Sequence, residues 1–181
     1  MRKEDYNSKE ITQKQLVSAL ANSSDDKVLS MLIDLKVHGE VFYLNTLLNM
    51  LTGERSTLLK KALVDFISDI KIKEAAPIIV NYIEQHAKTK DVSMVITASW
   101  QSRLDFSGFL PIFIKLLIEG SYKSSFEAFT VIENSLETIP AKKLDEYIAL
   151  IKGAVGKVDR DKQLLLLEMI SVLDKTKRAA L

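Results

Sequence analysis

Glycine and proline are scarce in this chain, and their scarcity limits the fold more than any other feature. The 181 residues contain six glycines and three prolines. A fold of many short β-strands needs a turn about every 8–12 residues, and such turns are usually built from Gly or Pro. So few of these residues cannot supply that many turns. We therefore predict an all-α protein with long helices and short connections.

The apolar residues recur with the period of a helix. A typical run, at spacings i, i+3, i+4, i+7 and i+11, is Leu59, Ala62, Leu63, Phe66 and Ile70. Such spacing puts the side chains on one helix face. The same pattern predicts ten helices, near residues 9–21, 25–38, 41–52, 56–70, 74–87, 91–103, 108–119, 124–138, 141–153 and 160–174. No Ser/Gly-rich linker divides the chain, so we expect a single domain over residues 1–181, with frayed tails at 1–7 and 175–181.

An internal repeat relates these helices. Pro77 and Pro111 are 34 residues apart, and each lies in the first turn of a predicted helix. Similar segments at the same shift are 41–49, 75–83, 109–117 and 143–151, and the helices that follow match over 61–66, 95–100 and 127–132. A fixed period of this length is typical of repeated helix pairs. Because one pair cannot bury its apolar face alone, neighbouring pairs must stack.

Two segments resemble the junction between HEAT-type repeats. In residues 63–79 a helix end is followed by a short turn with Asp and basic residues, and then by a helix that begins Ala-Ala-Pro-Ile-Ile; residues 104–112 are a looser instance. The resemblance spans about residues 25–174 and implies a right-handed α-α superhelix of five antiparallel helix pairs. It also implies that the second helices of the pairs line a concave face. Another helix-pair array and a compact bundle stay open as alternatives.

Several polar residues indicate helix ends. Ser124 and Glu127 have the spacing of a capping box, which predicts a helix start at Ser124. Asp159 is expected to cap the last helix. Gly53 and Gly120 each follow an apolar run, where the residue after a helix often has a positive φ.

The chain contains little that suggests catalysis. It has no Cys and only two His, which excludes disulfides, thiolate metal sites and a three-His zinc site. His38 and His86 both fall in the last turn of a predicted helix, where a cation favours the helix dipole. Nucleophile-elbow and phosphate-loop motifs are missing. We therefore expect a protein that is not an enzyme and that holds no cofactor or metal.

Five residues are candidates for binding on the concave face: Trp100, Arg103, Asp105, Glu133 and Glu137. Trp and Arg are enriched in interaction hot spots, and the two Glu are four residues apart on one helix face. Each has a structural alternative. Trp100 fits the core between repeats, Arg103 and Asp105 could form an ion pair that fixes the turn, and the two Glu could be ordinary surface residues.

The charge and hydropathy of the chain limit the classes of binding partner and the location that we expect. The chain has 25 Lys and Arg against 24 Asp and Glu, a net charge of +1, so we do not expect nucleic acid as a partner. The most apolar stretch, residues 106–118, contains Lys115 and is shorter than the roughly 20 residues of a membrane span. The polar first ten residues lack the apolar region of a signal peptide. These features predict a cytoplasmic protein without a membrane segment.

The leading hypothesis is therefore a scaffold or adaptor that binds a protein or peptide on its concave face. The alternative is a DNA-binding enzyme that resembles the HEAT-like alkylpurine DNA glycosylases, with Trp100, Arg103 and Asp105 or Glu133 in its groove. A third possibility is self-association through the Leu-rich segment 164–167 of the last helix. We expect that segment to be buried in a monomer, and the alternative is a weak dimer.

Overall fold

In the computed structural model of the protein, residues 3–38, 40–89 and 91–179 are described, with residues 3–10, 37 and 38 described by their backbone alone. These residues form ten α-helices and one 3₁₀ turn, with no β-strand among them. The helices are α1 (Lys3–Asn22), α2 (Asp25–His38), α3 (Leu44–Thr52), α4 (Thr57–Ser68), α5 (Ala75–Gln85), α6 (Val92–Gln101), α7 (Leu110–Glu119), α8 (Tyr122–Asn134), α9 (Ala141–Val155) and α10 (Arg160–Ala179). The prediction of an all-α fold with ten helices is confirmed.

The helices pack in two layers. The even-numbered helices contact one another in succession, from α2 through α4, α6 and α8 to α10. Among the odd-numbered helices, α3 contacts α1 and α5, and α7 contacts α9. The two layers meet where α3, α5, α7 and α9 each contact the helix that follows them. These contacts are compatible with stacked helix pairs.

A recurring burial pattern sets the register of the repeat. In α3, α5, α7 and α9, four buried residues at i, i+3, i+4 and i+7 begin at Leu44, Ala76, Leu110 and Leu144. In the even layer, three buried residues at i, i+4 and i+7 begin at Val28, Leu59, Val92, Ser124 and Lys162. The first interval between the odd helices is therefore 32 residues, whereas the sequence comparison predicted 34. The sequence comparison aligned residues of similar type. The burial of a residue depends instead on whether it faces a neighbouring helix, and this gives the shorter interval.

Helix α7 contributes a largely apolar buried face to the core. Phe113 is buried, and its ring meets that of Phe106 edge to face at a centroid distance of 5.7 Å. The other buried residues of this helix are Leu110, Ile114, Leu116 and Leu117. Among the described helices none is both long and apolar enough to cross a membrane.

The helix ends only partly follow the predictions. Asp159 caps α10 by accepting from the Lys162 amide at 3.0 Å, as expected. The predicted capping box at Ser124 is wrong, because α8 begins earlier and Ser121 Oγ accepts from the Ser124 amide at 3.2 Å. The predicted positive φ at Gly53 and Gly120 is also wrong, since their φ values are −90° and −68°. Gly120 is required for space instead: a Cβ there would lie 2.5 Å from the Leu116 carbonyl oxygen.

The two ends of the chain are more helical than predicted. Helix α1 begins at Lys3 and α10 continues to Ala179, although we expected frayed tails over 1–7 and 175–181. An ion pair between Lys177 and Asp145 at 2.5 Å joins the last turn of α10 to α9. This ion pair attaches the end of α10 to α9, a contact that the sequence did not indicate.

Candidate functional site

Four of the five predicted binding residues lie around one cleft. Trp100, Arg103, Asp105 and Glu137 all line an open cleft of about 460 Å³ at the C-terminal ends of α6 and α8. Glu133 is exposed on α8 but does not line the cleft. The cleft therefore lies at an edge of the even layer, where the chain leaves its helices, and not along their outer face.

Trp100 is fixed within this cleft by a contact that the sequence did not suggest. Its indole Nε1 donates to Glu127 Oε2 at 2.7 Å, which joins α6 to α8. Glu127 had been predicted to take part in a capping box. The indole is half-buried and packs against the core, so the expectation that Trp100 belongs to the core between repeats is correct for part of the side chain.

The turn after α6 is organised by short polar contacts. The buried Ser102 hydroxyl donates to the Ser99 carbonyl at 2.7 Å and accepts from the Leu104 amide at 3.2 Å. Asp105 Oδ1 accepts from the Ser107 amide at 2.9 Å, and hydrogen bonding to Ser107 lowers the pKa of Asp105. The ion pair between Asp105 and Arg103, which the sequence left open as an alternative, is not formed among the described residues.

Arg103 has an unusual backbone conformation. Its φ is 59°, and it is the one non-glycine residue with a positive φ in the described ranges. An L-residue in this left-handed region costs about 1–2 kcal/mol. Arg103 follows Ser102, the C-cap residue of α6, and the residue at this position of a helix end often has a left-handed conformation. The Arg103 side chain is exposed and lines the cleft.

The outer face of the even layer carries apolar side chains. On α6 and α8 these are Met94, Tyr122, Phe126 and Phe129, with Thr97 among them, and we call this set the even-face patch. Phe126 remains 52% exposed. Met94 and Phe126 each follow the first buried residue of their helix by two positions, and Thr97 and Phe129 follow it by five. Because α6 and α8 are in contact, equivalent positions on the two helices form neighbouring rows.

The residues at the positions equivalent to the patch differ in polarity from one even-numbered helix to the next. On α4 the equivalent positions are Lys61 and Val64, whereas on α10 they are Leu164 and Leu167. Both leucines are exposed, at 61% and 51%, so the prediction that the Leu-rich segment is buried holds for Leu166 but is wrong for these two. A lone exposed leucine needs no explanation, but contiguous apolar residues on a surface mark interaction sites.

The histidines have structural surroundings where they are described. His86 stacks on Tyr82 at a centroid distance of 4.0 Å, and its Nδ1 lies 2.8 Å from the Tyr82 carbonyl oxygen at the end of α5. The side chain of His38 lies outside the described residues. In the part of the chain that is described, no group of three or more His, Asp or Glu could hold a metal ion.

No family model, no curated protein and no solved structure matches this chain.

Proposed function

We propose that this protein is a HEAT-like helical-repeat scaffold that binds a protein partner through the outer face of its even layer. The observation that carries the proposal is the even-face patch, in which Tyr122 and Phe126 are exposed on α8, while Met94 and Thr97 on the adjacent α6 are half-buried. Burial of apolar area contributes roughly 25 cal/mol per Å². Aromatic side chains also dominate the energetics of protein interfaces.

The register of the helices supports a scaffold. Solenoids use equivalent positions of successive repeats to build an extended binding surface. Here the same two positions of the even helices are apolar on α8 and α10, and mixed on α4 and α6. The partner therefore contacts the C-terminal half of the layer most strongly.

The cleft adds a polar edge to this surface. Arg103 offers a guanidinium at its rim, and Trp100 presents a half-buried indole. We propose that both contact a polar segment of the same partner, together with Asp105 and Glu137. The cleft has two carboxylates against one guanidinium. A phosphate backbone requires clustered basic residues, so we do not propose the DNA glycosylase alternative.

The test is quantitative affinity capture with two matched variants. Phe126→Asp places a charge in the even-face patch, while Leu150→Asp places one on α9, where Leu150 is also exposed, at 59%. We expect Phe126→Asp to lose partners that the unmodified protein enriches, and Leu150→Asp to retain them. Both variants should keep the helical circular dichroism spectrum, because both sites are on the surface.

One outcome of the capture experiment would contradict the proposal. If the two variants retain or lose the same partners to the same degree, the even-face patch is not the binding surface. A third variant, Arg103→Glu, tests the cleft separately and should weaken capture of the same partners.

A further inference from the structure

The open cleft at the ends of α6 and α8 contains charged groups that do not pair with one another. Arg103, Asp105 and Glu137 all line it. None of the ion pairs among the described residues joins the Arg103 guanidinium to either carboxylate. Hydrogen bonds from Ser107 lower the pKa of Asp105, which keeps its carboxylate ionised. With two carboxylates against one guanidinium, the lining of the cleft has a net negative charge.

The ends of the two helices add to this negative potential. Trp100 and Asn134, in the last turns of α6 and α8, both line the cleft. The C-terminal end of a helix has a partial negative charge, which favours a nearby cation. Neither of these helices has a basic residue in its last turn. A cationic ligand in the cleft would therefore be attracted by both helix ends as well as by the carboxylates.

The Trp100 indole provides an aromatic surface in the same cleft. Its hydrogen bond to Glu127 at 2.7 Å fixes the position of the ring. The indole is half-buried, and no other ring among the described residues stacks on it. A cation over the face of Trp is attracted by the ring, and in proteins this cation is most often an arginine. The planar guanidinium stacks on aromatic rings and presents N–H groups in a geometry that matches carboxylates.

We propose that the cleft binds an arginine side chain of the protein partner. The guanidinium of that arginine lies against the Trp100 indole, and its N–H groups donate to Asp105 and Glu137. Arg103 donates to main-chain carbonyl oxygens of the same segment of the partner. The inference rests on the proposed function and deepens it, because it names the residue type of the partner that the cleft accepts.

A peptide titration followed by tryptophan fluorescence measures this binding, because Trp100 is the single Trp of the chain. The probe is acetyl-Gly-Arg-Gly-amide, whose blocked ends leave the guanidinium as its one charge. We expect a saturable change in emission at millimolar peptide, weaker binding when lysine replaces the arginine, and none when glutamate does. Glu137→Gln should raise the dissociation constant about two- to fivefold, as expected for one exposed ion pair. Adding Asp105→Asn should raise it further.

The matched control is Glu133→Gln, which removes an exposed carboxylate of α8 that does not line the cleft. It should leave the dissociation constant unchanged, and both glutamate variants should keep the helical circular dichroism spectrum. Three results would each overturn the inference. The first is no saturable change with the arginine peptide, either in fluorescence or in the chemical shift of the indole N–H. The second is equal affinity for the lysine or the glutamate peptide, and the third is an equal effect of Glu137→Gln and Glu133→Gln.

The outcomes for this inference and for the proposed function are distinguishable. If the titration fails but affinity capture depends on Phe126, the arginine site is overturned and the proposed function remains supported. If the titration succeeds but capture does not depend on Phe126, the arginine site is supported and the even-face patch is not the binding surface. Glu137→Gln should weaken capture of the partner where both are correct.

Discussion

Lys162 occupies a position that is apolar in most of the even helices. It begins the buried triplet of α10, where α2, α4 and α6 have Val28, Leu59 and Val92. Only 6% of its surface is exposed. Its Nζ donates to the carbonyl oxygens of Ile118 and Gly120 at 2.6 and 2.5 Å, at the C-terminal end of α7. Burial lowers the pKa of this lysine, while Asp159 and Glu119 act in the opposite direction.

The substitution Lys162→Met retains the aliphatic chain and removes both hydrogen bonds. A buried carbonyl without a donor costs about 1–3 kcal/mol. The Gly120 oxygen keeps a weak donor in Ser125, at 3.4 Å, so the loss falls mainly on Ile118. The apolar Met side chain recovers a fraction of the cost at roughly 0.8 kcal/mol per CH₂. We expect a net loss of about 2 kcal/mol in the free energy of unfolding.

Urea denaturation and thermal melting measure this loss. For a chain of this size, about 2 kcal/mol corresponds to a decrease in Tm of roughly 4–8 °C. The matched control is Lys157→Met, because Lys157 is exposed in the turn before α10 and should change stability by less than about 0.5 kcal/mol. If Lys162→Met is as stable as the unmodified protein, or more stable, the apolar contacts of this position dominate and the capping role of Lys162 is refuted.

Three further predictions concern other contacts. Hydrogen bonds from Ser56 and Arg55 lower the pKa of Asp25 below its ordinary 3.8, so its stabilising effect exists above that pH and is lost as pH falls through the folded-state pKa. Urea unfolding should show that the stability difference between the unmodified protein and Asp25→Asn shrinks from pH 6 towards pH 2 (about these values), and a constant difference would contradict this. Arg103→Gly relieves the positive φ and should raise the free energy of unfolding by up to about 1 kcal/mol; a loss of stability would show that the arginine side chain holds the turn. Glu127→Ala removes the acceptor of the Trp100 indole and should cost about 1.5–3 kcal/mol with a red shift of the fluorescence of this single Trp, whereas an unchanged spectrum would argue against the contact.

The sequence predicted what depends on local spacing. Apolar residues at helical intervals were enough for the number of helices, and Pro77 and Pro111 both lie in the first turn of α5 and α7 as expected. The start of α8 was not predictable in this way. Ser121 and Ser124 both suit a helix cap, and the burial of Ser124 decides between them. That burial depends on packing between helices that are distant in the chain.

The candidate site was predictable only in part. The residue types and their position after a helix were sufficient to select Trp100 and Arg103, which do line one cleft. The contact of Trp100 with Glu127 links residues on different helices and follows no local rule. The even-face patch was missed altogether, because an exposed Phe126 and a buried Phe113 look alike in an amphipathic pattern. An alignment of the even-numbered helices on their buried positions i, i+4 and i+7 places Phe126 and Phe129 on the opposite side of the helix.

The central claim is that a protein partner contacts the even-face patch, and site-specific photo-crosslinking in cells tests it most directly. A benzoyl-phenylalanine in place of Phe126 keeps an aromatic group at the exposed position on α8, and the same group in place of Leu150 is the control on α9. We expect a covalent adduct of higher mass from position 126 after illumination, and little or none from position 150. Equal crosslinking at both positions, or no adduct at position 126, would contradict the account.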